Sequence, residues 1–319
     1  MNKIRVSLIV LFLSISCGNE NNTIVDVSNI EIDVNVDRFE QKFYNSNEES
    51  LQLLKKEYPY LFPAKNSDSI WLNKINNEEE RVLFKKSEEV FGDFEAEKSE
   101  IKTLFKHIKY YHPNFKSPKI ITLITDLDYE SNVIYADSLL FVSIDMYLGK
   151  NDEVYQSFPA YISQNFEKQQ LVVDIAKEIG GNYFYESKKR QFLDIIIYEG
   201  KKMYLLDSYL PTTSDACKMG YLPEEIAWAE ANETQVWKYF VENELLYSSD
   251  PKLSSRFIDK APFSKFFIDI DKESPGRIGT WLGWQIVRSY MKNNNVTLQQ
   301  LLQTNAEEIF KKAKYKPKK

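Results

Sequence analysis

The chain has 319 residues, enough for one large domain or two ordinary ones, and its 43% hydrophobic and 28% charged residues exclude both a disordered and a multi-span membrane chain. A net charge of −6, from 41 basic and 47 acidic side chains, speaks against a nucleic-acid partner, which needs a basic surface. Two Cys and two His exclude zinc fingers, disulfide scaffolds and any centre built from three His.

Lys3 and Arg5 precede a short apolar run at 6–13, followed by Ser14-Ile15-Ser16-Cys17 and the polar Gly18-Asn19-Glu20-Asn21-Asn22. A charged start, a short apolar core and small residues at a cleavage point make a secretory signal, and the run is too short to span a bilayer. The segment resembles a bacterial lipoprotein signal with Cys17 as the first mature residue, although Ser14 stands where that pattern usually has Leu. The resemblance implies a thioether-linked diacylglycerol on Cys17, durable because each buried methylene contributes about 0.8 kcal/mol. Residues 1–16 are then removed, 17–29 form a polar tether, and 30–319 form a single domain. Loss of Lys3 and Arg5 takes the net charge to −8. The expected location is the cell envelope, anchored by lipid and facing the periplasm, with no cofactor beyond that covalent lipid. Cys217 has no partner within the chain and reads as a structural thiol.

Alternation of Ile30, Ile32, Val34 and Val36 with Glu31, Asp33, Asn35 and Asp37 predicts a strand with one wet face. Ser46-x-x-Glu49 has the form of a capping box for a short helix ending before Pro59. Helices follow at 77–91 and 94–111, the second with Phe94, Ile101, Leu104, Phe105 and Ile108 on one face and His112-Pro113 as its stop. Runs rich in β-branched and aromatic residues at 120–125, 132–136 and 139–145 predict a three-strand meander. Further helices are expected at 152–160 and at 166–179, the latter stopped by Gly180-Gly181. They continue at 189–198, 201–209, 224–246, 278–292 and 297–313, the last opened by the capping box Thr297-x-x-Gln300. Six Lys among the last nine residues predict a frayed, solvated end, with contact to anionic lipid head groups as the sharper reading. The fold class is α+β, a mainly helical body around a small mixed or antiparallel sheet, with a cleft between sheet and helices.

Standard catalytic motifs are missing. His107 and His112 are five apart across a helix end and cannot form the i, i+4 pair of a zinc-binding helix. No G-x-S-x-G elbow, G-x-G-x-x-G or Walker loop is present. Paired-acid catalysis stays open but unlocalised.

Four segments in order carry a resemblance. They are Leu140-Phe141-Val142-Ser143-Ile144-Asp145-Met146-Tyr147-Leu148-Gly149, Gln170-Leu171-Val172-Val173-Asp174-Ile175-Ala176-Lys177-Glu178-Ile179, Ile196-Ile197-Tyr198-Glu199-Gly200-Lys201-Lys202-Met203-Tyr204 and Ser274-Pro275-Gly276-Arg277-Ile278-Gly279-Thr280-Trp281-Leu282-Gly283-Trp284-Gln285-Ile286-Val287. With the lipoprotein-type signal, they are similar to the gliding-motility lipoprotein family GldB over nearly the whole mature chain. The resemblance implies a lipoprotein required for surface gliding, working with other Gld envelope proteins in machinery tied to type IX secretion. The same segment order is similar to that of predicted zinc peptidases carrying His-Glu-x-x-His and a later Glu ligand, which implies a metallopeptidase-like but degenerate fold. Laid on that pattern, Val173 and Lys177 replace the two His, Asp174 the base and Glu199 the third ligand. A Val cannot ligate and an ammonium repels a cation, so no catalytic residue or metal is expected and the protein reads as a pseudo-enzyme.

Two pairs of readings follow. Asp174 and Lys177 share a helix face, so Lys177 either bridges Asp174 and Glu199 in a former metal cavity or simply faces solvent with Asp174. Gly279 and Gly283 open a flat stripe flanked by Trp281 and Trp284. That stripe is either the wall of a retained cleft, with Arg277 offered to a carboxylate, or core packing in which glycines admit a close neighbour. The expected function is a noncatalytic component or assembly factor of the gliding apparatus. The alternative is a peptidase-like hydrolase with an atypical carboxylate site.

Overall fold

The computed structural model describes residues 24–184, 191–268 and 271–318. The expected signal segment, Cys17 and the expected tether up to residue 23 lie outside the described residues. Among the described residues, four strands form one mixed sheet: β1 (Asn35–Arg38), β2 (Lys119–Leu123), β3 (Val133–Ala136) and β4 (Leu139–Ser143), in the order β1-β2-β4-β3. β2 pairs in parallel with both β1 and β4, and β3 forms a hairpin with β4. The expected meander is therefore corrected. Ile120, Ile121 and Thr122 are all buried, so β2 needs cover on both faces and takes the centre, which sends β3 to the edge.

Five helices connect β1 to β2: α1 (Phe39–Tyr44), α2 (Glu48–Glu57), α3 (Asp68–Asn76), α4 (Glu78–Phe91) and α5 (Glu95–Tyr111). α1 and α3 escaped the sequence reading, while α4 and α5 fall where the apolar spacing places them. Only the end of the expected 30–37 strand pairs. The stretch before it lies on α5, where Lys106 Nζ donates to Ser28 O (3.3 Å) and Lys109 Nζ to Glu31 O (2.9 Å). The α2 cap sits one residue later than expected. Ser46 Oγ donates back to Lys42 O, and Asn47 with Ser50 forms the capping box instead.

Among the described residues, ten helices follow the sheet: α6 (Ala160–Ser163), α7 (Gln170–Gly181), α8 (Phe192–Tyr209), α9 (Asp215–Met219), α10 (Pro223–Ala231), α11 (Glu233–Glu242), α12 (Lys252–Phe257), α13 (Ile278–Asn293), α14 (Leu298–Gln303) and α15 (Ala306–Ala313). Only a single turn, Glu153–Tyr155, and α6 occupy the expected 152–160 helix region, because Pro159 lacks the N–H that would continue it. The expected 224–246 helix breaks after α10, where Asn232 Nδ2 bonds Trp228 O (2.9 Å), and the 297–313 helix breaks where Asn305 caps α15. The Thr297 capping box is present.

Glycines explain the remaining differences. α7 runs through Gly180 because the place of a Cβ there is filled by Leu205, whose Cδ2 would stand 2.4 Å away. α8 is one helix across Gly200 because α13 crosses there. A Cβ on Gly200 would lie 2.3 Å from the Gly283 backbone, and one on Gly283 only 1.8 Å from Ile196 O.

Two cores flank the sheet. Phe39, Phe43, Tyr58 and Phe62 pack with Ile121 on one face, while Ile120, Leu140 and Val142 join the large core shared with α5, α7, α8 and α13. The C-terminal tail is not frayed over its described length. Tyr315 Oη donates to Glu233 Oε1 (2.6 Å), its ring packs edge-on against Trp237, and Thr234 Oγ1 donates to Lys318 O (2.7 Å).

Candidate functional site

Asp174 projects from the first turns of α7 toward the base of the β3–β4 hairpin. Its Oδ2 accepts from Asn132 Nδ2 (2.9 Å), just before β3, and from Tyr147 Oη (3.1 Å), just after β4. Its Oδ1 accepts from Gln170 Nε2 (3.4 Å) and Lys177 Nζ (3.3 Å). Glu178, a turn further on, accepts from Tyr135 N (3.1 Å) and pins α7 to the same hairpin. Burial, with the Asp174 carboxylate beside it, holds the Tyr147 phenol well above its usual range, so it acts as a neutral donor. An ionised carboxylate has about four acceptor positions, and four donors meet this one.

Glu199 does not join this centre. On α8 it pairs with Lys202 (3.0 Å), one turn along the same helix, and no ion pair or hydrogen bond among the described residues links it to Asp174 or Lys177. The three-member cluster is thus reduced to the Asp174–Lys177 pair, in which Lys177 is 38% exposed. Val173 is buried. The Cys217 thiol, 3.7 Å from Gln170 Oε1, is pushed up by burial and stays protonated. His112 stacks on Tyr183 with 3.5 Å between ring centres, shares a 2.6 Å hydrogen bond with Tyr209 Oη, and is pushed down to about 4 by burial. His107 is buried, which also lowers its pKa. Both imidazoles are neutral near pH 7.

The glycine stripe on α13 is filled by the protein itself. Gly279 meets the Phe257 backbone and Gly283 that of Ile196, while Trp281 and Trp284 are buried. Arg277 caps α13 and donates from Nη1 to Met219 O (2.8 Å), at the end of α9. The cleft-wall reading is therefore corrected: the close neighbours are α8 and α12. Beneath the stripe lies a polar cluster that the sequence did not disclose. Asp207 accepts from Trp284 Nε1 (2.8 Å), Arg288 (2.7 Å) and the buried Lys218 (2.9 Å), and Arg288 also holds Asp215. Its members come from α8, α9 and α13, so no local spacing reveals it.

Two open grooves share the wall formed by Phe115, Lys116 and Ser117. One, of about 780 Å³, is lined by Tyr111, His112, Tyr135 and Tyr183. The other, of about 900 Å³, carries Lys102, Lys106, Lys109, Lys116 and Lys119 against Glu31 and Asp33. Lys102, Lys106 and Lys109 fall on one helical face, a pattern legible in the sequence. That residues 28–35 fold back along it is not. Among the described residues, no three His, Cys, Asp or Glu side chains are placed to share a metal ion, and no helix is long and apolar enough to cross a membrane.

Fold and centre together define a mainly helical α+β protein built around a fully hydrogen-bonded carboxylate. The pattern of the gliding motility protein GldB family matches residues 20–317, nearly the whole chain, and the chain belongs to that family. Membership carries the coarse assignment of a gliding motility protein from a lipoprotein family associated with the cell envelope. No curated protein and no solved structure matches it.

Proposed function

We propose that the protein is a noncatalytic, lipid-anchored component or assembly factor of the gliding apparatus. It is attached through Cys17, faces the periplasm with residues 30–319 as one body, and works with other Gld envelope proteins in machinery linked to type IX secretion. The family match across residues 20–317 carries the reading. The Asp174 centre supports it: with Asn132, Tyr147, Gln170 and Lys177 on its oxygens, the carboxylate has no acceptor position left to activate a water. Filling of the α13 stripe by α8 and α12 supports it as well, since a scaffold needs a rigid body more than an open cleft.

The test replaces the chromosomal copy with Cys17→Ser, Asp174→Asn or Lys177→Met and follows colony spreading, with protein abundance checked by immunoblot. Cys17→Ser is expected to release the protein from the membrane fraction and abolish spreading. Asp174→Asn and Lys177→Met are expected to spread normally. Loss of spreading in Asp174→Asn at normal abundance would overturn the noncatalytic reading and turn attention to a hydrolase.

A further inference from the structure

We propose that the lysine-lined groove between α5 and residues 28–35 is a docking surface for the head groups of anionic phospholipids. The proposal rests on the Cys17 anchor for its geometry. Lys102, Lys106 and Lys109 stand at i, i+4 and i+7 on α5, and Lys116 faces the same groove. None of these four makes an ion pair with a described residue; Lys106 and Lys109 donate only to the backbone carbonyls of Ser28 and Glu31. Like charges one turn apart repel, so α5 carries a stripe that a bound anion would relieve. Glu31 and Asp33 on the facing wall, Asp37 on Lys119 and Asp26 near Lys106 offset part of this charge. The groove lining still carries five lysines against two carboxylates, on a chain whose net charge is −6.

Placement selects the occupant. One wall of the groove is the chain segment closest to the anchor, and Ile24 lies seven residues after Cys17. Seven residues span at most about 25 Å when extended. Held on such a leash, the lipid surface is presented to this face at an effective concentration on the order of millimolar. A soluble anion has no comparable advantage, and a phosphodiester head group matches unpaired ammonium groups in charge.

The mature chain isolated from its membrane is placed in nanodiscs of phosphatidylcholine alone or mixed with phosphatidylglycerol. Lysine acetylation is then read by peptide mass spectrometry, together with the mass of the Cys17 peptide. Anionic lipid is expected to slow acetylation of Lys102 and Lys116 roughly tenfold while leaving Lys56 and Lys85 unchanged. On the Cys17→Ser chain, which has no lipid to hold it on the vesicle, Lys102→Gln with Lys116→Gln is expected to weaken vesicle binding by roughly 25-fold, about fivefold per lysine, whereas Lys56→Gln with Lys85→Gln leaves it unchanged. Equal acetylation in both lipids with Cys17 lipidated overturns the docking surface and leaves the anchor standing. Equal protection by free glycerol 3-phosphate in neutral discs also overturns it, in favour of a soluble anion. An unlipidated Cys17 overturns the anchor; the groove is then judged by sedimentation of the same chain with the two kinds of vesicle, and equal binding overturns it.

Discussion

Gly283 and Gly181 are both helical, yet they should respond to alanine with opposite sign. A methyl on Gly283 would lie 1.8 Å from the Ile196 carbonyl, and neither backbone can yield without moving a helix. Gly283→Ala should therefore cost about 3 kcal/mol in urea denaturation, outweighing the roughly 1 kcal/mol gained in helix propensity. Gly181 has nothing within 4 Å of a Cβ, and Gly181→Ala should stabilise by about 0.5 kcal/mol. Lys177→Met tests the remaining pair of the Asp174 centre. With Lys177 38% exposed and 3.3 Å from its partner, the change should stay within about 0.5 kcal/mol. His112 supplies a pH signature. Its folded pKa of about 4 lies below the ordinary value near 6.5, so the unfolded chain binds the proton first and stability drains as pH falls from about 6.5 to about 4. The Asp145 carboxyl, raised by burial to about 6, works in the opposite direction over much of that range, so the measurement is a difference. The stability advantage of wild type over His112→Gln should shrink as pH drops through that window. At this scale the sequence discloses neighbours three and four apart, as with Asp174 and Lys177. Glu199 and Lys202 are such neighbours too, whereas the Asp207 cluster, drawn from three helices, is not disclosed.

Some helix ends were legible from their local caps, though Asn47 and Asn305 were missed. The Thr297-x-x-Gln300 box stands as its spacing predicts, and α4 and α5 begin within one residue of expectation. The α2 cap slipped because Ser46 is claimed by the preceding α1, a competition invisible until α1 is known to exist. Asn47→Ala should cost about 1 kcal/mol by removing the acceptor for Glu49 N and Ser50 N, measurable by thermal denaturation. Interior glycines misled for a related reason. Gly180 and Gly200 look like punctuation in a linear reading, but each marks a crossing where a neighbouring helix takes the space of a side chain. Strand order was beyond local pattern as well. β-branched runs identify β2, β3 and β4, whereas their pairing depends on β2 being buried on both faces and on β1 arriving from 84 residues earlier in the register Asn35 to Lys119.

Across the whole molecule the α+β class followed from helical spacing and a few short apolar runs, while the fate of the termini did not. Lysine content made the C-terminal tail look solvated, yet one phenol fastens it to a buried carboxylate. Tyr315→Phe leaves Glu233 one donor short and should cost about 1–3 kcal/mol, a loss visible as a lowered unfolding midpoint. At the other terminus, residues 28–31 are tied to α5 through Lys106 and Lys109 before the chain enters β1. β1 then runs parallel to β2, at one edge of the sheet. For a body held at its N-terminus through Cys17, as proposed, that arrangement would decide how tension is borne. A pull directed along the axis of β1 would load the bonds from Asn35 to Arg38 together in shear. Antiparallel attachment through a terminal hairpin would let the same pull peel them one at a time. Under the proposed anchoring, the first strand of the body would be joined to its neighbour in a geometry that resists extraction.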